Sequence, residues 1–374
     1  MIDQILMDGG LGETRVALMA EGRLVELHYF RDDDPPPVGS VFRARVRTIA
    51  PGHNGAFLDL DGKTQGFLKV RKGTPMPAEG SALTVAIRAA ATAGKLAICT
   101  TQLPPDLPTL PDHPAPALLF RPDPPWGPLL VAHNRAQILT DSHDLAAQIK
   151  PAEATLHRGA LFDDFGVEAE IAKIIRCVFP LPHGATLRQS MTPALTAWDV
   201  DMGGADVRGA KAVLTVNLAA AKEVARQLRL QQLGGLMVID FLKMDRKDER
   251  QVEDALLAAL AKDPTPTQMG RISRFGLLEL SRTRQGRPLP EVLTTPAAAR
   301  VNLVTIGHGL LRAARRAQAA DPGGVLVLRV DPALAAWLQE GPLQRLAAKT
   351  GRTPVVETDA GRDIGDVEVY TRQP

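Results

Sequence analysis

The 374-residue sequence contains only two cysteines, Cys99 and Cys177, and neither has a second thiol at C-x-x-C spacing. Two isolated thiols fit a reducing compartment better than a disulfide framework or a thiolate metal site. None of the eight histidines forms an H-x-x-x-H pair, which excludes a zincin-type centre. Charge of one sign is also lacking: 44 Lys+Arg against 42 Asp+Glu leave a formal net charge of +2, so any nucleic-acid footprint must be local. No run approaches 18 apolar residues, so no membrane span is expected. The opening MIDQILMDGG lacks the basic and apolar regions of a signal peptide, and the expected location is cytoplasmic. Aromatics make up only 4% of the chain, so where they recur in matched contexts they draw notice.

Hydrophobic residues, at 45%, are sufficient for two or three cores. Residues 14–30 read as a hairpin around Glu21-Gly22, ended by RDDDPPP (31–37). A strand-rich unit follows from about Gly39 to Thr101. The run 103–125 then carries nine prolines, a linker composition. Over 127–178 the pattern predicts strands at LLVA and AQIL and a helix around 166–177. ALTAWDV (194–200) and LMVIDF (236–241) read as buried strands. Residues 217–233 read as an amphipathic helix between them, with Asn217 as N-cap and Gly234-Gly235 as its stop. A second helix is expected at 248–262. Helix (301–320), strand (GVLVLRV) and helix (332–349) complete the chain.

Within the strand-rich unit, Phe42, Ala44 and Val46 alternate with Arg43, Arg45 and Arg47, which on a strand places the guanidinium groups on one face. GAFLDL and QGFLKV each set a phenylalanine after a small residue, Phe57 and Phe67, and Lys69 follows the second. Small OB-type barrels hold single strands by stacking bases on such aromatics while basic groups follow the phosphates. The alternative is that both phenylalanines are core and the arginines a solvated face.

The strand–helix–strand unit 194–241 places Asp199 and Asp240 near the ends of its two strands. If these strands are parallel neighbours, the right-handed crossover brings both carboxylates to one edge of the sheet. Converging carboxylates suit Mg²⁺, a hard cation held by one or two of them together with water and phosphate. The alternative is that each aspartate pairs with an arginine or caps a loop. In 270–287, Arg271, Arg274, Arg282, Arg284 and Arg287 surround an apolar centre, which fits phosphate positioning or a solvated strand pair.

The runs ALTAWDVDMGG (194–204), NLAAAKEVARQLRLQQLGGLMVIDF (217–241) and GRISRFGLLELSRTR (270–284) resemble the RNase E/G family of bacterial endoribonucleases, and GAFLDL…GFLKV resembles that family's RNA-binding barrel. The resemblance implies an α+β and α/β multidomain fold. It comprises the first part of an RNase H-like domain (1–35), an inserted OB-fold barrel (36–102), the proline-rich linker (103–125) and the rest of the RNase H-like domain (126–178). A nuclease-like α/β domain (179–296) and a small C-terminal α/β domain (297–374) follow. It implies that Asp199 and Asp240 hold one catalytic Mg²⁺, that Phe57 and Phe67 stack on RNA, and that single-stranded A/U-rich RNA is cut to leave 5′-phosphate ends.

The sequence departs from that family in three places. Asp201 stands where the family has Asn, a third candidate catalytic carboxylate that adds repulsion beside the scissile phosphate unless it joins the metal shell. GRPLPEVLTTPAAARVN (286–302) has no cysteine, so no zinc-link is expected, and any homo-oligomer would form through the C-terminal domain. The proline-rich run replaces the segment that senses a 5′-monophosphate, so cleavage is expected to ignore the RNA 5′ end. Asp201 also motivates the alternative of a weak or inactive RNA-binding relative that serves as a regulator or assembly factor. A protein–protein scaffold is the third class.

Overall fold

The protein is described by a computed structural model that covers all residues except Asp33, Lys72, Ala90, 92–95, Asp106, 150–152, 204–209, Gln285, 296–299 and Pro374. It has two compact units, one comprising 1–32, 135–283 and 288–374, and the other 33–134 with 284–287. In chain order, β1 (Gln4–Gly9), β2 (Glu13–Ala20) and β3 (Arg23–Arg31) form an antiparallel meander. The predicted hairpin is present: Glu21 and Gly22 take φ of 52° and 70°, the left-handed pair that suits a two-residue turn between right-twisted strands.

The second unit holds β4 (Val41–Ala50), β5 (Gly55–Asp59), β6 (Gln65–Lys69), β7 (Ala82–Ala89), β8 (Ala97–Thr100) and β9 (Ala117–Phe120). The order β5-β6-β8-β7-β4, closed by a β4–β5 pairing, is a five-stranded barrel of the OB type. The β4–β5 pairing joins the two ends of that order, and Phe42, Val46, Leu58, Leu60, Leu68, Val85 and Ile87 fill the barrel interior. The proline-rich run is not a simple linker, because residues 117–120 pair with β4 as β9 and stay with the barrel unit. LLVA, expected as a strand, lies in the helix Gly127–Ala132.

The first unit resumes with β10 (Gln137–Thr140) and β11 (Ala154–Leu156), which extend the meander as parallel strands in the order β11-β10-β1-β2-β3. A six-stranded sheet follows from β12 (Val178–Pro180), β13 (Thr186–Met191), β14 (Thr196–Asp201), β15 (Gly235–Asp240), β16 (Thr267–Met269) and β17 (Leu277–Arg282), in the order β12-β13-β14-β15-β17-β16. The helices Ala210–Leu230 and Arg246–Leu260 cover one face. There Trp198, Val200, Met237, Ile239, Leu278 and Leu280 pack with Val216, Ala220, Val224, Leu228, Val252 and Leu256. The same cluster includes Leu6, Ala17, Leu24 and Leu27, so the five- and six-stranded sheets share one core rather than forming separate domains. After the short pair β18 (Thr294–Thr295) and β19 (Arg300–Val301), the helix Leu303–Ala320 leads to β20 (Val325–Val330), β21 (Val355–Thr358) and β22 (Glu368–Arg372). These have their own core around Leu310, Leu328, Leu334 and Leu346. The expected helix 332–349 breaks into Pro332–Gln339 and Pro342–Thr350, because Gly341 at φ 134° and Pro342 cannot continue a helix.

Asn217 is not an N-cap. Its helix starts seven residues earlier, at Ala210, and the fully buried Asn217 amide donates to the Leu242 carbonyl and accepts from the Leu242 N–H. A buried amide with both ends satisfied fixes the chain two residues past Asp240.

Candidate active site on the open face of the six-stranded sheet

The predicted crossover is present: β14 and β15 are parallel neighbours joined by the helix Ala210–Leu230, and Asp199 stands directly opposite Asp240. Side chains alternate along each strand, so one face carries Trp198, Val200, Met237 and Ile239 while Asp199 and Asp240 project from the other. That second face is exposed on β13, β14, β15 and β17 in turn, at Arg188, Asp199, Asp240 and Glu279. The strands are therefore half-buried rather than buried, and neither aspartate is forced into an apolar interior. What singles the pair out is register: neighbouring strands lie about 4.8 Å apart, so two carboxylates face one point above the sheet.

Register extends this row on both sides. Arg188 on β13 is opposite Asp199, and Leu277 on β17 is opposite Asp240. Asp201 lies on the same face two residues beyond Asp199. It accepts from the Gly203 N–H at 2.8 Å, and its other oxygen meets Arg188 Nε at 3.7 Å. Sequence reasoning missed Arg188, although the signal was available. Thr186, Arg188 and Ser190 alternate with Leu187 and Gln189, and a turn at Thr192–Leu195 folds that strand back onto 196–201.

Beside Asp240, the β16–β17 hairpin turns through 270–276, closed by bonds from Gly270 to Glu279, Ser273 to Leu277 and Gly276 to Ser273. The Ile272 N–H donates to Glu253 on the covering helix, which holds the turn in place. Arg271 and Arg274 are exposed and form no ion pair among the described residues. Phe275 is 73% exposed, with the Arg274 guanidinium 4.8 Å from its ring centre. Arg282 is different: it is buried and does not make the expected RNA contact. It is 4% exposed, paired with Asp263 at 2.8 Å and bonded to the Leu233 carbonyl and the Thr265 hydroxyl, because its strand position faces the core.

The described residues contain no group of three or more His, Cys, Asp or Glu placed to hold a metal ion. The two-carboxylate site fits Mg²⁺, which retains several waters and takes one or two protein carboxylates plus substrate oxygens. A cleft of about 440 Å³ lies away from this row, bordered by Asp8, Arg15, Asp141, Arg312 and Arg315. The open face suits a polymer better than an enclosed pocket does, because a strand must enter and leave.

On the barrel, Phe57 and Phe67 are cross-strand partners whose rings meet edge to face at 5.3 Å. Phe57 is 40% exposed and Phe67 half-buried, while the core lies on the opposite faces of their strands. Gly55 makes room for this pair: a Cβ there would come within 2.3 Å of the Phe67 ring. Lys69 is exposed, opposite Gly55. The arginine face forms as expected, but its groups have local partners: Arg43 donates to the Thr84 hydroxyl, Arg45 to the Gly80 and Ala115 carbonyls, and Arg47 pairs with Asp59. Burial works to raise the Asp59 pKa, and the bonds from Arg47 and the Gly62 N–H prevail and hold it low.

Residues 131–285 match the model of the Ribonuclease E/G family. Over 136 residues the chain is 41% identical to a protein of Haemophilus influenzae named Ribonuclease E, covering 35% of this chain and 14% of that protein. Ribonuclease E of Escherichia coli is 37% identical over 175 residues, 44% of this chain and 16% of its own length. The Ribonuclease E/G-like protein, chloroplastic, of Arabidopsis thaliana is 32% identical over 208 residues, half of this chain and 21% of its own. The chain thus aligns with less than a quarter of each of these three relatives. The segment that matches the Ribonuclease E/G family model, 131–285, contains Arg188, Asp199, Asp240 and the 270–276 turn.

Proposed function

We propose that the chain is an endoribonuclease that hydrolyses phosphodiester bonds of single-stranded, A/U-rich RNA at the Asp199–Asp240 pair, using one Mg²⁺ ion and leaving 5′-phosphate ends. The observation that carries this reading is the direct opposition of two exposed aspartates on neighbouring parallel strands, inside the segment that matches the family. Asp199 and Asp240 are the residues that would hold the ion, together with water and the substrate phosphate. When bound, the ion supplies an activated water and neutralises charge developing on the phosphate. Asn217 keeps the segment after Asp240 in register through Leu242. Arg271 and Arg274 guide neighbouring phosphates, and Phe275 offers a face for a flanking base. Phe57, Phe67 and Lys69 hold RNA on the barrel by stacking and charge, an interaction worth roughly 1–3 kcal/mol per base.

Purified protein should cut a fluorescent A/U-rich oligonucleotide with Mg²⁺ and stop when EDTA is added, and a ligation assay should find 5′-phosphates on the products. Cutting that persists in EDTA, or 5′-hydroxyl products, would refute the metal-activated water. Substrates with 5′-monophosphate and 5′-hydroxyl should react alike, and a large monophosphate preference would contradict the reading of 103–125. The second reading, a relative that binds RNA without cutting, draws on the third carboxylate at Asp201. It predicts salt-sensitive RNA binding with no turnover.

A further inference from the structure

Asp201 poses a problem for a site that must receive a phosphate: a third carboxylate on the same face repels the substrate. Arg188 is placed to address it. Its backbone is opposite Asp199, so its Cα lies about 5 Å from that of Asp199 and about 10 Å from that of Asp240, in the same cross-strand row. Its guanidinium points along the open face to Asp201, at 3.7 Å. Both side chains are about half exposed (54% and 46%), and the separation exceeds a hydrogen bond. Such a pair contributes little to stability and exchanges readily. A phosphate offers a guanidinium two short charge-assisted bonds instead.

We propose that Arg188 is a phosphate-positioning residue of the active site and that Asp201 is its resting partner. In the free protein, Arg188 cancels the extra carboxylate. When RNA arrives, the guanidinium turns from Asp201 to a non-bridging oxygen of a phosphate in the strand, and Asp201 keeps its bond from the Gly203 N–H. The two residues are therefore a matched set. An aspartate at 201 is tolerated because an arginine stands on the neighbouring strand, and the charge met by substrate at this end of the row is near zero. This deepens the proposed endoribonuclease reading and rests on it for the reaction, although its binding half can be measured without turnover.

The test compares Arg188→Gln, Asp201→Asn and the double variant in oligonucleotide cleavage, with Asp199→Asn as the inactive reference. Arg188→Gln should lower kcat/KM about tenfold or more, since it removes a phosphate contact and also leaves Asp201 uncompensated. Adding Asp201→Asn should restore part of that loss, which a purely structural role for Arg188 would not produce. Within the Asp199→Asn background, RNA affinity is followed against salt. Arg188→Gln should lessen the slope of log affinity on log salt by about 0.7, the value for one phosphate of a single strand. Arg188→Gln within twofold of the wild type in cleavage, or a double variant no better than the single, would overturn the proposal. If the wild type does not cut at all, the endoribonuclease reading fails by itself. The salt slope then decides on Arg188: an unchanged slope rejects it as a phosphate contact, and a reduced slope upholds it.

Discussion

Asp199 and Asp240 are distinguished by their alignment more than by burial. A carboxylate on an exposed sheet face is inexpensive, so nothing in folding demands aspartate at two opposed positions. Arg282 shows the reverse case. It belongs to the same arginine-rich run as Arg271 and Arg274, yet its strand position turns it into the core, where Asp263 compensates it. Arg282→Ala leaves that aspartate buried without its partner and is expected to destabilise folding by about 3–5 kcal/mol. Urea unfolding measures this, and a loss under 1 kcal/mol would show that Asp263 finds another partner. Phe57→Ala and Phe67→Ala are expected to weaken RNA binding by about 1–3 kcal/mol each with little effect on stability, since both rings lie outside the barrel core. Fluorescence anisotropy checks the first effect and thermal unfolding the second. At this scale the sequence carried residue type and alternation. It does not say which face of 277–282 meets the helices, so the burial of Arg282 is not legible there, whereas the outward faces of Phe57 and Phe67 are.

Among elements, the β16–β17 turn extends the row of the candidate active site. Leu277 opposes Asp240, Phe275 lies two residues before Leu277 in the turn, and Gly276 at φ 87° permits that turn. Phe275→Ala should raise KM for RNA several-fold while leaving Mg²⁺ affinity unchanged, and an unchanged KM would remove the ring from the substrate path. A second element pair makes a pH prediction. Asp8 near the end of β1 and Asp141 just after β10 sit side by side, with Arg15 and Arg312 beside Asp8, and Arg315 near Asp141. Burial and then the Asp8 charge push the Asp141 pKa up to about 6, whereas Asp8 itself, although burial works to raise it, is held low by Arg15 and Arg312.

A carboxyl with a raised folded pKa stabilises the fold at low pH and loses that contribution as pH rises through the folded value. Asp8 is already ionised in this range, so stability should fall between about pH 4 and about pH 6 through Asp141 alone. Asp141→Asn keeps an oxygen for the Gly9 N–H and offers Asp8 a donor. It should raise the melting temperature at pH 8 and change it little at pH 4. Equal effects at both pH values would contradict the assignment. The hairpins and the β14–helix–β15 crossover were legible from period and turn residues. The start of the 210–230 helix was not, because Asn217 reads as a cap until the partner backbone at Leu242 is known.

At the scale of the molecule, the sequence indicated strand-rich and mixed regions but not how they share cores. The five- and six-stranded sheets pack through one cluster, and 103–125 stays with the barrel through β9. Both depend on pairings between residues distant in sequence, which local pattern does not reveal. With net charge near zero, the proposed affinity for RNA rests on local groups, namely Lys69 and the barrel arginines in one unit and Arg188, Arg271 and Arg274 in the other. The central claim is that Asp199 and Asp240 together form the metal-dependent cutting site. The most direct measurement follows turnover and binding of one A/U-rich oligonucleotide in parallel for the wild type, Asp199→Asn and Asp240→Asn, with saturating Mg²⁺. Removing outer-shell support of a metal costs about 10–100-fold, so loss of a direct ligand should lower turnover by about a hundredfold or more. Both variants should still bind RNA to within a few-fold of the wild type. Cleavage by either variant at the wild-type rate would contradict the account.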